Sequence, residues 1–180
     1  RVTIQQFLGV TTVGLLVTYV DDFLVAAERP LAELFMQTIT SMWKCTPPEC
    51  IDDVKTLTFC SMRIRLSESG DYYIDMEPYI LDMLERHGML ESNPTLVPIQ
   101  PDECVSVVST SLEGLTPKQV SRLKVVKEAQ QHAGELQWLG TRVRFDISYA
   151  LQRASSLMTK EPERSTKISK GIMRYLLGTP

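Results

Sequence analysis

The fold class is decided by the stretch Leu15-Leu16-Val17-Thr18-Tyr19-Val20-Asp21-Asp22-Phe23-Leu24-Val25-Ala26. Aliphatic, aromatic and β-branched residues lie on both sides of two aspartates, which are poor strand formers but tolerate turns. The pattern predicts two strands between Phe7 and Ala26, joined by a tight turn at Asp21-Asp22. Because the apolar runs are nearly continuous rather than alternating, both strands are expected to be buried on both faces.

Downstream of this hairpin, two helical segments flank a second hairpin. Pro30 to Lys44 has a 3.6-residue apolar period and begins with a proline, which predicts a helix. Leu57 to Leu66 and Tyr72 to Met76 flank a polar five-residue stretch and predict a hairpin. A further helix is predicted from Glu77 to His87, ended by Gly88. Its buried stripe is expected to comprise Tyr79, Ile80, Met83 and Leu84.

The composition changes after this helix. Residues 91–115 are rich in Pro, Ser, Thr and Val, and they predict a linker between a first domain, residues 1–90, and a second, residues 116–180. Thr116-Pro117-Lys118-Gln119 combines an N-cap, a proline and a capping-box glutamine, and opens a helix that is expected to reach about Leu139. Two more helices are predicted from Phe145 to Lys160 and from Pro162 to Gly178. The fold class is therefore predicted to be α+β: antiparallel hairpins with packed helices, then a mainly helical region.

Charge is divided unevenly along the chain, although the net charge is only −3. Residues 1–100 carry 7 Lys and Arg against 14 Asp and Glu, whereas residues 101–180 carry 12 against 8. The division suggests an acidic half that binds metal and a basic half that contacts phosphate, although composition alone favours a solvated surface. A solvated helix surface is the alternative explanation of the basic half.

Other classes of site find little support in the sequence. The four cysteines form no C-x-x-C pair, which favours reduced thiols and gives no zinc-ligand spacing. His87 and His132 have no nearby partner in the sequence and are interpreted as surface or cap residues. The apolar run from Val13 to Ala26 is shorter than the roughly 20 residues of a membrane span and is interrupted by two aspartates. We expect neither secretion nor a membrane partner, and we expect both ends of the chain to be cuts within a longer protein.

Two adjacent carboxylates on a rigid hairpin suit one kind of chemistry. Nucleotidyl transfer needs stabilisation of developing charge, and two divalent ions about 3.5–4 Å apart can supply it. Mg²⁺ prefers carboxylate oxygens, so the exposed pair Asp21 and Asp22 predicts a magnesium site. An Asp-Asp pair alone is a weak signal because most such pairs are turn residues. The flanking Tyr19-Val20 and the two apolar strands make it specific.

At these residues the chain resembles the reverse transcriptases of copia-type LTR retrotransposons. The similarity begins with the Tyr-Val-Asp-Asp palm motif and continues in the family's order over nearly the whole chain. It includes Phe59 to Ile64, Tyr79 to Met89, Gly134 to Ala150 and Ile172 to Thr179. The resemblance implies a partial polymerase palm in residues 1–90 and a thumb-like or connection-like region in residues 116–180, ahead of a ribonuclease H domain.

The resemblance also implies roles for residues. Asp21 and Asp22 would be catalytic and would bind two Mg²⁺ or Mn²⁺ ions in the intact parent. Tyr19 and Val20 would lie near the primer end or the incoming nucleotide. A hairpin with Phe59, Ser61 and Met62 would support the primer strand. The partners implied are an RNA template, a DNA primer or hybrid duplex, dNTPs and the other parts of the polyprotein.

Two residues depart from the family pattern, and one catalytic group is expected elsewhere. Ser61 stands where the family favours Gly, and Phe145 where it favours Pro. The family's third catalytic aspartate lies on an upstream palm strand, so this chain is expected to be inactive alone. The resemblance implies an intracellular location, in cytoplasmic particles or the nucleus. The alternatives are a decayed or domesticated copy that acts only as a nucleic-acid-binding or interaction module, and an unrelated α+β protein with a chance Asp-Asp hairpin.

Basic and aromatic residues of the second half are candidate nucleic-acid contacts. Trp138 with Arg142 and Arg144 could stack on a base and grip a backbone, or could form a loop between helices with a core tryptophan. Cations at helical spacing near the C-terminus could follow phosphates, or could be ordinary solvated residues. These cations are Lys160, Arg164, Lys167, Lys170 and Arg174.

Overall fold

The computed structural model describes residues 2–7, 10–104 and 118–180, with side chains described at 14–104 and 123–180. The chain divides into two compact units, Arg1–Asp75 and Met76–Pro180. This division lies upstream of the predicted linker at 91–115, because the helix after Asp75 buries its apolar face within the second unit. Residues 105–115 of that linker, and the cap predicted at Thr116 and Pro117, lie outside the described residues.

The first unit opens with a three-stranded antiparallel sheet. Strands β1 (Val2–Phe7), β2 (Val10–Tyr19) and β3 (Asp22–Ala26) lie in the order β1-β2-β3. The predicted pair of strands is confirmed, and β1 adds a strand that was not predicted. Tyr19 pairs with Asp22, so the turn residues are Val20 and Asp21, one position earlier than predicted.

Helix α1 (Arg29–Met42) follows β3 and packs on this sheet. It buries Leu31 and Ile39. A Cβ at Gly14 of β2 would lie 3.0 Å from Ala27 Cβ and 3.2 Å from Leu31 Cδ2, so glycine permits the close approach. The prediction that β2 and β3 are buried on both faces is wrong: among their described side chains all except Gly14 are half-buried or exposed. Helix α1 covers too little of the sheet to bury its apolar residues.

A second antiparallel sheet completes the first unit, after the short helix α2 (Ile51–Val54). Its strands, in the order β4-β5-β6, are β4 (Thr56–Phe59), β5 (Met62–Leu66) and β6 (Tyr72–Asp75). The predicted five-residue turn after Leu66 is confirmed by the pairing of Leu66 with Tyr72. The prediction of one strand from Leu57 to Leu66 is wrong, because a tight turn at Cys60-Ser61 divides it.

The described part of the second unit is helical. It contains α3 (Glu77–Arg86), α4 (Pro101–Cys104), α5 (Lys118–Gly140), a 3₁₀ turn (Phe145–Ile147), α6 (Ser148–Leu157) and α7 (Pro162–Gly178). The predicted bounds of α7 are confirmed, and those of α3 to within one residue. The helix predicted from Phe145 to Lys160 is a 3₁₀ turn followed by a helix that ends at Leu157. No described helix is long and apolar enough to span a membrane.

Helix α7 is the centre of this unit and packs against α6, α5 and α3. Ile168, Ile172, Met173 and Leu176 of α7 are almost inaccessible to solvent. Ser165 Oγ donates a hydrogen bond of 2.8 Å to the carbonyl of Ala154, which satisfies a buried hydroxyl. The fully buried side chains of α3, α5 and α7 include Ile80, Met83, Leu84, Leu136, Leu139, Ile172, Met173 and Leu176. The described helices and small antiparallel sheets are compatible with an α+β class, whereas a polymerase palm stays a prediction.

Candidate functional site

The aspartate hairpin, β2 and β3 with their turn, presents both predicted carboxylates to solvent. Asp21 lies in the two-residue turn and Asp22 is the first residue of β3; both are exposed. Tyr19, which ends β2, is 42% exposed, and Val20 is 90% exposed. The strands therefore hold two adjacent carboxylates at the tip of a hydrogen-bonded hairpin, next to an exposed phenol and an exposed aliphatic side chain.

Val20 has a φ of 54°, in the left-handed region. A β-branched residue rarely adopts this conformation, because its side chain crowds the neighbouring backbone. Such strain costs on the order of 1–3 kcal/mol and is concentrated at functional sites. A left-handed residue at the first turn position lets a two-residue turn join strands of the usual twist.

The hard oxygen donors of Asp21 and Asp22 fit Mg²⁺ or Mn²⁺. No group of three His, Cys, Asp or Glu side chains that could hold a metal ion is found within residues 14–104 and 123–180. In that part of the chain the pair therefore has no third acidic ligand. Two carboxylates can hold a divalent ion that keeps most of its water, which is a weak site.

The second tight turn lies between β4 and β5, in the hairpin predicted to support a primer. Phe59 pairs with Met62 across it; Phe59 is buried and Met62 half-buried. Cys60 and Ser61 have φ values of 51° and 65°. A two-residue turn with positive φ at both positions is of type I′, which favours Asn and Gly. The backbone therefore explains why glycine suits the position of Ser61.

The other departure from the family pattern also has a local explanation. Phe145 is the first residue of the 3₁₀ turn, and its side chain is 67% exposed. The first helical position tolerates proline because its N–H has no partner within the helix. The exposed position also accepts phenylalanine without a change in the core.

Of the predicted nucleic-acid contacts around Trp138, Arg142 lies against the tryptophan ring and Arg144 makes different contacts. The guanidinium of Arg142 lies 4.1 Å from the centre of the half-buried Trp138 ring, which makes a cation–π pair. Arg144 instead donates to Asp146 at 2.8 Å and to the backbone oxygen of Thr179. The hydrogen bonds from Arg144 lower the pKa of Asp146 against the effect of partial burial. Arg144 thus fastens the 3₁₀ turn to the end of α7, whereas Trp138 and Arg142 form a stacked surface pair.

The basic face of α7 comprises Arg164, Lys167, Lys170 and Arg174, and the predicted contact Lys160 lies two residues before the helix. Two of its cations contact Glu103 of α4: Arg164 Nε at 2.8 Å and Lys167 Nζ at 2.5 Å. Lys170 Nζ lies 3.6 Å from Glu128 of α5. Acids of the same unit therefore neutralise much of the charge that was predicted to meet phosphates.

A cluster of polar side chains between α3 and α5 was not predicted. His132 is 1% exposed, and its ring meets that of His87 edge to face, with the centres 4.5 Å apart. His87 Nε2 lies 2.5 Å from Glu135, which also accepts a hydrogen bond of 2.6 Å from Arg86. The interpretation of the histidines as surface or cap residues is wrong for His132. For His87 it is correct only in that this residue is the C-cap of α3.

Burial and hydrogen bonding set the charges in this histidine cluster. Burial lowers the pKa of His132, and the neighbouring His87 adds to the effect. Burial opposes ionisation of Glu135, but hydrogen bonds from His87, Gln131 and Arg86 outweigh it and lower the pKa of that carboxyl. Because Nδ1 of His132 is buried without a hydrogen-bond partner, a charge on this ring would be costly. The i, i+3 spacing of His132 and Glu135 was the available signal, but it could not show that His87 lies opposite.

Comparison with known proteins connects both units to one group. The chain is 30% identical over 165 residues to "Retrovirus-related Pol polyprotein from transposon RE1" of Arabidopsis thaliana, covering 92% of the chain and 10% of that protein. It is 27% identical over 184 residues to "Retrovirus-related Pol polyprotein from transposon RE2" of the same plant, covering 94% of the chain and 12% of that protein. No family model and no solved structure gives a significant match.

The chain spans about a tenth of the length of the curated relatives it matches. The similarity supports a retroelement origin and confirms the predicted resemblance at the level of retrotransposon Pol polyproteins. The assignment to the copia type and to the reverse transcriptase part of Pol stays a prediction.

Proposed function

We propose that this chain is part of the reverse transcriptase of a copia-type retrotransposon polyprotein, with Asp21 and Asp22 as ligands of catalytic Mg²⁺. The observation that carries the proposal is the aspartate hairpin: two adjacent exposed carboxylates on a tight turn with a left-handed Val20. The similarity to two retrotransposon Pol polyproteins over more than nine-tenths of the chain supports the same function.

The residues of the hairpin would act by position and charge. When bound, the metal ions supply Lewis-acid stabilisation of the attacking 3′-oxygen and of the leaving pyrophosphate. The ladder between β2 and β3 fixes the carboxylates of Asp21 and Asp22 before any ion binds, so little reorganisation is needed. The exposed ring of Tyr19 and side chain of Val20 offer an apolar surface beside them for a base or sugar at the primer end.

The second hairpin and the helical unit each offer, separately, a candidate contact for nucleic acid. The type I′ turn at Cys60-Ser61 forms the end of the β4–β5 hairpin, where its backbone would contact the primer strand. Trp138 and Arg142 present a flat stacked pair. Such pairs bind unstacked bases or backbone without dependence on base sequence. An RNA template, a DNA primer and dNTPs are the partners that this arrangement serves.

The test is primer extension on an RNA template by the Pol reading frame that contains this chain. Asp21→Asn with Asp22→Asn should abolish Mg²⁺-dependent extension. Asp52→Asn with Asp53→Asn removes an equal charge from another exposed aspartate pair of the same unit, and should leave extension intact. Equal extension by the two double variants would refute the metal assignment.

The 180 residues alone should not extend a primer, because the described part of the chain supplies no third acidic ligand beside the pair. Extension by this chain alone would show that two carboxylates suffice. If the complete reading frame folds and binds a hybrid duplex but extends no primer, the function is that of a nucleic-acid-binding module. That result would select the alternative of a decayed or domesticated copy.

A further inference from the structure

Glu103 is the one carboxylate among the buried residues of the described chain, with a relative exposure of 8%. It lies in the short helix α4, and its two oxygens accept hydrogen bonds from different cations of α7. Arg164 Nε lies 2.8 Å from Oε2 and Lys167 Nζ lies 2.5 Å from Oε1. These hydrogen bonds lower the pKa of Glu103. The carboxylate therefore stays charged and occupies a ready-made anion position on α7.

The backbone of α4 accepts hydrogen bonds from Arg164 and from a third cation, Arg153. Arg164 Nη2 lies 3.4 Å from the carbonyl oxygen of Asp102 and 3.3 Å from that of Glu103. Arg153 of α6 donates to the Glu103 carbonyl at 3.2 Å. Three cations from two helices thus converge on one short acidic segment.

Apolar packing contributes little to this attachment. Pro101 and Asp102 are exposed and Cys104 is half-buried, so Glu103 is the only buried residue of the helix. The attachment is therefore made mainly of charge-assisted hydrogen bonds, which arginine and lysine donors can also form with other anions. A segment held in this way can be displaced by another anion that satisfies the same donors.

We propose that Pro101–Cys104 is an acidic strap that covers a phosphate-binding surface formed by Arg153, Arg164 and Lys167, and that a nucleic-acid backbone displaces it. The inference rests on the proposed function, since it concerns how that function's nucleic acid reaches α7. Arginine donors match a phosphate as well as they match a carboxylate. Further cations of the α7 basic face continue at helical spacing from Lys167: Lys170, whose Nζ lies 3.6 Å from Glu128 at the surface, and Arg174. A nucleic-acid backbone that displaces the strap would also compete with Glu128 for Lys170.

The strap acts as an intramolecular competitor. Because Glu103 is tethered next to its partners, it faces them at a high effective concentration, and a single free phosphate would compete poorly. A polyanion offers several phosphates and can also use the cations that the strap leaves in place. The strap therefore selects for a continuous backbone over small anions.

The first experiment compares the salt dependence of binding between Glu103→Gln and wild type, using the 180-residue chain and a short RNA–DNA hybrid duplex. In Glu103→Gln the released cations should make one to two more phosphate contacts. The plot of the logarithm of the binding constant against the logarithm of salt concentration should then be steeper by about 0.9 to 1.8. Glu163→Gln, an exposed acid of α7, makes the same change in net charge and should leave the slope as in wild type. Equal slopes for Glu103→Gln and Glu163→Gln would overturn the proposal.

The second experiment does not depend on the folding of a charge variant. A chain with Cys45→Ser, Cys50→Ser and Cys60→Ser keeps only Cys104, next to Glu103. Hybrid duplex should increase the rate of labelling of this thiol by a disulfide reagent, and inorganic phosphate at the same phosphate concentration should not. A rate that is unchanged or lowered by the duplex would show that the strap stays in place and would overturn the proposal.

The two proposals fail in different ways. If the complete reading frame extends no primer, but Glu103→Gln makes duplex binding more dependent on salt, the polymerase proposal is refuted and the strap proposal is supported. If primer extension depends on Asp21 and Asp22, but Glu103→Gln and Glu163→Gln show equal salt dependence and duplex does not change the labelling of Cys104, the polymerase proposal is supported and the strap proposal is refuted.

Discussion

The two units of the chain differ sharply in how they bury apolar residues. Only three described hydrophobic side chains of the first unit are buried: Leu31, Ile39 and Phe59. Eighteen are buried in the second, from Met76 to Leu176, a difference far larger than that in the number of described side chains. The residues predicted to perform chemistry nevertheless lie in the first unit.

The positions of the candidate site residues are therefore set by different interactions in the two units. In the first unit the positions of Asp21, Asp22 and Ser61 are set by strand pairing and by two tight turns with left-handed residues. In the second unit positions are set by packing around α7 and by polar clusters that connect helices. We therefore expect the first unit to unfold more readily than the second.

The largest effect should come from a cavity in the second unit. Leu136→Ala removes a side chain with 0% exposure, and should lower the free energy of unfolding by about 2–5 kcal/mol. Leu34→Ala in α1 removes one that is 39% exposed, and should cost about 1 kcal/mol or less.

Urea denaturation followed by tryptophan fluorescence can separate the two units. Trp43 reports the first unit and Trp138 the second, so Trp43→Phe and Trp138→Phe backgrounds isolate each signal. Equal losses from the two alanine substitutions would contradict the comparison, as would an earlier transition at Trp138 than at Trp43.

A smaller effect should be a pH dependence of stability that arises from the histidine cluster and is confined to the second unit. Burial and the nearby His87 lower the pKa of His132 in the folded state, while the unfolded side chain titrates near 6.5. Below that pH the unfolded chain binds more protons, so stability should fall as pH decreases, by at most about 1.4 kcal/mol per pH unit. Above it, His132 is neutral in both states and contributes no pH dependence.

The measurement is the urea midpoint at Trp138 between about pH 7 and pH 5, the range in which histidine titrates. His132→Phe replaces the imidazole with a ring that cannot be charged, and should remove most of the fall. His87→Gln keeps the buried imidazole of His132, so the fall in stability with decreasing pH should persist. If His132→Phe follows the wild-type profile, the group that titrates in this range is not His132, and the assignment is refuted.

The smallest effect should be a gain of stability in the first unit. Ser61→Gly relieves a φ of 65° at a position where glycine is unstrained, and should stabilise the second sheet by about 0.5–1 kcal/mol. Ser69→Gly, in the longer turn of the same sheet, relieves no such strain and removes hydrogen bonds to Ser67 and Asp71.

Hydrogen exchange of the amides of β4 and β5 measures this local change. Protection should increase with Ser61→Gly and decrease with Ser69→Gly. A decrease with both substitutions would mean that the turn at Cys60-Ser61 is held by its side chains, not limited by backbone strain.

The elements that the sequence predicted well are those with strong local signals. A proline at the start and a glycine at or just beyond the end bound α7 and α3, and both helices form within one residue of expectation. The aspartate hairpin was predicted because two aspartates interrupt an apolar run. The turn at Cys60-Ser61 was missed because neither residue carries a turn signal, and their left-handed conformation is imposed by the pairing of Phe59 with Met62.

By itself, the sequence determined the aspartate pair and the order of helices and hairpins, since each depends on residues close together in the chain. It also determined the resemblance to retrotransposon polyproteins, which is read from the order of local motifs along the chain. Only the tertiary structure decided which charges are already neutralised and which histidine is buried. Glu103 lies 61 residues from Arg164, and His87 lies 48 residues from Glu135. Local patterns carry no information about such contacts, because packing of separate helices brings the side chains together.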